Sequence, residues 1–152
     1  MPNRPIPCSV YNNQTQLDLD DDWLTKIPTW IEQHVWPQAS SYQLKSSVFN
    51  ELHFLEIAFI DDATISQAHA DFMNDPTPTD VITFLHGELL ISVETANRQA
   101  IENNQELQTE LLRYIIHGVL HLAGYEDYEA SKQKTMIHIQ ESILDKTILA
   151  IN

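Results

Sequence analysis

The chain has 152 residues, with 22 acidic against 8 basic side chains, a formal net charge of −14, 43% hydrophobic residues, 3 Gly and 7 Pro. That length suits one domain over residues 1–152, able to bury about two-thirds of its unfolded surface without a disulfide, and the composition excludes disordered, collagenous and membrane-spanning classes. The charge excludes non-specific coating of nucleic acid, because that affinity comes from Lys and Arg displacing counterions; a nucleic-acid role then rests on a focused site or on a protein partner.

The opening residues MPNRPIPCSVYNNQ lack a basic region followed by a long apolar core, so no signal peptide is expected. Ile6–Tyr11 reads as a short strand, placed at a sheet edge by Pro7. Its Cys8, the single cysteine, reads as a small half-buried strand residue in a reducing cytoplasm. The acidic run Asp18–Asp22 opens a helix through Trp23, Ile27, Trp30, Ile31 and Val35, since carboxylates suit the positive end of a helix dipole. Pro28 is expected to break or kink it.

His53–Ile60 reads as a strand, and Asp61 and Asp62 cap a helix that shows Ile65, Ala68 and Phe72 on one face. Asn74–Val81 is a turn-forming loop, followed by strands at Val81–Leu85 and Glu88–Ser92. Ser92 is placed to cap a helix through Asn97 and Ile101, and Asn103 with Glu106 resembles a capping box for the next helix. That helix runs to about Ala123 and stops at Gly124; a last helix covers Ala130–Leu149. About four strands and five helices in this order make an α+β fold with a small mixed sheet.

The chemistry sits in LLRYIIHGVLHLAGYEDYE, Leu111–Glu129. At about 100° per residue, Arg113, His117 and His121 share a stripe about 80° wide, while Leu112, Ile115, Ile116, Val119 and Leu122 cover most of the rest. This apolar stretch is too short and too interrupted to cross a membrane. Two imidazoles one turn apart can grip one metal ion. Gly124 can then reverse the chain and return a carboxylate, best Asp127 rather than Glu126 or Glu129, giving three protein ligands and a place for water. Satisfied core or surface histidines remain the other reading of the pair. Gly118 stands where a zinc peptidase needs its glutamate base, which disfavours that class.

HGVLHLAGYED resembles the H-G-x-L-H-x-x-G-Y-D-H signature of the YbeY endoribonucleases. PTDVITF (Pro78–Phe84), GELLIS (Gly87–Ser92) and YNNQTQLDLDDDWL near the N-terminus are similar to further segments of that family. The resemblance implies a zincin-like site with one zinc ion on a buried helix, held by His117 and His121. It implies hydrolysis of single-stranded RNA by a metal-activated water, with a role in 3′-end maturation of 16S rRNA and ribosome quality control, in the cytoplasm, with ribosomal partners.

Two positions depart from the family: Asp127 stands at the usual third histidine, and Met73 where an arginine is frequent. Arg113 is a candidate to replace that cation at the phosphate or to orient a ligand, against a structural salt bridge. Lys132 and Lys134 are candidates for RNA backbone, against a solvated face. Asp80 is expected to shape the cleft through backbone hydrogen bonds, and His53, His69, His86 and His138 to be ordinary histidines. A non-catalytic ribosome-assembly factor with a structural metal is the alternative reading.

Overall fold

The computed structural model describes residues 6–73, with Met73 as backbone only, and 79–152. Its strands are β1 (Cys8–Asn12), β2 (Leu55–Ile60), β3 (Val81–Phe84) and β4 (Glu88–Ser92). Its helices are α1 (Asp21–Trp30), α2 (Trp36–Tyr42), α3 (Asp62–Met73), α4 (Val93–Glu102), α5 (Leu107–Leu122) and α6 (Ala130–Ile151), with α1 and α2 joined by a π turn over Ile31–Val35. Counting that joined pair as one rod, the described residues form four strands and five helical rods, an α+β fold.

The sheet order is β1-β2-β4-β3, with β1, β2 and β4 parallel and β3 antiparallel to β4. Cys8 and its strand lie at an edge, and burial, followed by the charge of Glu32, pushes the thiol up to about 12, so it is a packing residue rather than a nucleophile. Alternation along β2 and β4 divides the side chains between two faces. Ile57, Phe59, Leu89 and Ile91 enter the main core with the first rod, α5 and α6. Ile60 and Ile82, with Ala58 and Leu90, meet Ile65 and Ala68 of α3 on the other face.

Two expectations are corrected. Pro28 does not end the first helix: after the Asp20 side chain caps it at Trp23 N (2.9 Å), the rod continues through the π turn, where Trp36 N–H donates to the Ile31 carbonyl. That wider turn keeps Ile31, Val35 and Trp36 all buried, so tertiary packing overrides the proline. The Asn103–Glu106 capping box does not form. Residues 103–105 instead finish α4, with Gln105 N–H on the Ala100 carbonyl (2.8 Å) and Asn104 at φ 53°. Glu106 caps α5 without a side-chain bond.

Ser92 caps α4 at Thr95 N (3.3 Å), as expected, and also donates to Asp62 of α3. Asp62 further accepts from Thr95 Oγ1 and Arg98 Nη1, each at 2.8 Å, tying the starts of the two helices together. Burial alone would raise the Asp62 carboxyl, but the hydrogen bonds from Arg98, Ser92 and Thr95 outweigh it and hold the group below the usual carboxylate range. A carboxyl lowered on folding stabilises above its unfolded value, about 3.9, and that stabilisation disappears as pH falls through the lowered value. Asp62→Asn should therefore cost stability at pH 7 and show a shrinking difference from wild type below about pH 4, measured by urea unfolding. An equal difference at both pH values would refute this.

Candidate metal centre

Helix α5 is largely enclosed: Leu111, Leu112, Ile115, Ile116, Val119, Leu120 and Leu122 are all buried. Each such side chain contributes about 1.5–3 kcal/mol of burial, which fixes the helix's rotation and hence where its polar stripe points. Gly118 faces the sheet, where a Cβ would come within 2.8 Å of both Leu89 methyl groups. A glutamate there would meet the core, which gives the exclusion of a peptidase base a physical reason. Gly118→Val should destabilise by about 1–3 kcal/mol through overpacking. In a Leu89→Ala background the cost should fall, and a strictly additive double-mutant cycle would refute the contact.

After Leu122 the helix closes in a Schellman turn. Tyr125 N–H donates to the Leu120 carbonyl and Gly124 N–H to the His121 carbonyl, both at 3.0 Å. Gly124 has φ +103°, and a Cβ there would press on Leu44 Cβ (3.1 Å) and Ser47 Cβ (3.2 Å). The turn brings the Tyr125 carbonyl to 2.9 Å from His121 Nδ1 and carries Asp127 back over the histidines.

There the three side chains converge. His117 Nε2 and His121 Nε2 are 3.1 Å apart, and Asp127 Oδ2 lies 3.3 Å from the first and 3.7 Å from the second. Four ligands around one ion at about 2.0–2.1 Å sit about 3.3 Å from each other, so these separations match three corners of a tetrahedron. The His121 Nδ1–H donates to a carbonyl, which can only accept, so its Nε2 presents a lone pair to the cluster. Burial, and next the neighbouring His117, lowers the His121 pKa and favours the neutral form a metal needs. The donor set of two imidazoles and one carboxylate fits a zinc-like ion, and among the described residues no fourth His, Cys, Asp or Glu joins it.

Of the three donors, His121 lines a groove of about 510 Å³ between the segment around Ser46 and Ser47, strand β3 and the Gly124 turn, lined also by His69 and Thr83. His69, expected to be an ordinary histidine, thus shares a groove with His121. His53 and His138 are exposed, and His86 pairs with Glu88 at 3.0 Å. Asp80 accepts from Val81 N–H (2.8 Å), the backbone role expected of it.

Arg113, the candidate phosphate contact or ligand-orienting residue, does not line the groove. Its Nε and Nη2 grip Glu141 at 2.9 and 3.1 Å, and its Nη1 grips the buried Glu110 at 2.8 Å. Lys132 is engaged by Glu126 (3.5 Å) and the Tyr128 hydroxyl (3.2 Å). Residues 74–78 of the expected loop and the Met73 side chain lie outside the described residues. Sequence reading missed Gln140, whose Oε1 is 2.8 Å from His117 Nδ1. Its signal was available, since Gln140 falls among Met136, Ile139, Ile143 and Leu144 on the buried stripe of α6.

A family model described as "Endoribonuclease YbeY" matches residues 10–148. Similar curated proteins of that description include one from Synechococcus sp. (strain CC9605), 31% identical over 84% of this chain and 86% of its own. Another, from Pelotomaculum thermopropionicum, is 30% identical over 93% of this chain and 97% of its own. A solution structure of a Thermotoga maritima protein shares the fold with TM-score 0.60 and 22% identity, over 92% of this chain and 88% of that one.

Proposed function

The chain belongs to the YbeY endoribonuclease family, and from that premise we propose that it hydrolyses single-stranded RNA beside one divalent ion, zinc foremost, held by His117, His121 and Asp127. In this reading residues 1–152 form one catalytic unit that works in the cytoplasm on small-subunit rRNA, in 16S 3′-end maturation and ribosome quality control, with ribosomal partners. Among the described residues no helix is long and apolar enough to cross a membrane. The observation that carries the reading is the three-donor cluster of His117, His121 and Asp127, whose His121 also lines the groove. A structural zinc is closed by four protein ligands, whereas a catalytic one keeps an open position.

When bound, the ion supplies Lewis-acid activation of water and charge neutralisation at a phosphate oxygen. His117 and His121 would hold it through their Nε2 atoms, and Asp127 would compensate one unit of its charge. The groove has the volume of a small-molecule pocket. Asp80 fixes the start of strand β3, one wall of that groove, through its bond to Val81 N–H.

The test is purified protein with single-stranded RNA, with and without chelator. Cleavage that chelation abolishes and zinc restores supports the reading; no cleavage by the zinc-loaded protein would favour the assembly factor with a structural metal. Because the net charge is −14, RNA binding should be weak with a shallow salt dependence. Charge reversal at Lys132 and Lys134 should weaken it further. A salt slope matching about six or more released counterions would contradict this expectation.

A further inference from the structure

We propose that Arg113, Glu141 and Gln140 form a relay that selects the tautomer of His117 and so makes its Nε2 a metal ligand. The inference rests on the metal-binding part of the reading above and goes beyond it by assigning three positioning residues on two helices. Arg113 grips both oxygens of Glu141, at 2.9 and 3.1 Å, so both oxygens act as hydrogen-bond acceptors. Glu141 Oε2 also accepts from Gln140 Nε2 at 3.1 Å. A flipped amide would set the Gln140 oxygen against the carboxylate, so only one orientation of this buried side chain satisfies both groups.

That orientation leaves Gln140 Oε1 facing His117 Nδ1 at 2.8 Å. An amide oxygen can only accept, so the His117 proton sits on Nδ1 and the lone pair on Nε2. Nε2 is the nitrogen that lies 3.1 Å from His121 Nε2 and 3.3 Å from Asp127. His121 receives the same instruction from a different source, the Tyr125 carbonyl, whose direction the Schellman turn fixes. One histidine is thus set by backbone geometry and the other by a side-chain relay that ends on a guanidinium. Arg113, on the same stripe as the two histidines, orients a ligand through two intermediaries instead of touching phosphate.

The experiment uses the full chain, zinc-free and labelled with ¹⁵N in histidine, at mildly alkaline pH. Long-range ¹H–¹⁵N spectra distinguish the two neutral tautomers of each ring. Wild type should show both His117 and His121 as Nδ1–H. Glu141→Gln removes the anchor of the amide, and Gln140→Leu removes the acceptor while keeping size and charge. Both should move His117 toward Nε2–H or a mixture and leave His121 as Nδ1–H. Zinc affinity, measured by competition with a chelator, should fall about 10–100-fold in Gln140→Leu, the usual cost of losing a ligand's hydrogen-bond partner.

Unchanged His117 signals together with unchanged zinc affinity in both variants would overturn the relay. So would equal disturbance of His117 and His121, which would make Gln140 and Glu141 packing residues rather than selectors of a tautomer. Neither readout involves RNA, so the outcome stands or falls apart from the nuclease activity.

Discussion

Zinc added to the chelator-treated wild-type protein should raise its melting temperature by about 10 °C at a free concentration about a thousandfold above Kd, and should leave His117→Ala and His121→Ala unshifted. The size follows from linkage. A ligand that binds only the folded state at a thousand times its Kd contributes about 4 kcal/mol. For a chain of this length each kcal/mol moves the midpoint by about 2–4 °C. The direction follows from geometry: the two Nε2 atoms are 3.1 Å apart, and His121 presents its lone pair toward His117. A cation between the rings is favoured by both, and either alanine removes one of three donors. The loss of affinity should exceed the roughly 10–100-fold typical of a lost second partner. Metal analysis should give about one ion per wild-type chain and none in the variants after dialysis. A full zinc-induced shift in both alanine variants would move the metal elsewhere in the molecule.

How much of this site a sequence displays depends on how local its causes are. The convergence of His117, His121 and Asp127 is written within eleven residues, as a helical repeat, a glycine that accepts φ +103° and a short return. Each part is a local conformational preference, and the Schellman turn joins them. The strands were legible as short apolar runs bounded by turn signals, whereas their order and pairing were not. Position 118 was legible only as a missing base; that it lets α5 approach Leu89 is a packing fact from another element. That the first rod continues past Pro28 was not legible, because the burial of Ile31, Val35 and Trp36, which holds the π turn, depends on α5 and α6. The Arg113 partners sit on α6 as well, 28 residues away at Glu141, and no local rule pairs them. The stripe told where Arg113 starts from; only the neighbouring helix decides what its guanidinium reaches.

Asp127→Ala should lose metal and RNase activity together, whereas Asp127→His should keep metal and shift the rise of activity to lower pH. Asp127 stands at the family's usual third histidine, and its Oδ2 is the third corner of the cluster, 3.3 Å from His117 Nε2. Among the carboxylates of that turn, Glu126 is bound to Lys132, and Asp127 is the one grouped with both histidines. A carboxylate makes the ligand set one unit more negative than three imidazoles would. A more negative set holds a cation firmly but also opposes departure of a proton from any group at the site. Replacing the carboxylate by a neutral imidazole removes that opposition, so the deprotonated, active form is reached at lower pH. The Asp127 side chain is 42% exposed, so solvent screens part of the effect, and the shift should be smaller than the same change would give in a closed site. The checks are metal content by mass spectrometry and the pH–rate profile of RNA cleavage for wild type, Asp127→Ala and Asp127→His. Normal metal in Asp127→Ala, with loss in Glu126→Ala or Glu129→Ala, would transfer the third corner to a neighbouring carboxylate. A profile moved to higher pH in Asp127→His would break the charge argument while leaving the histidine pair in place.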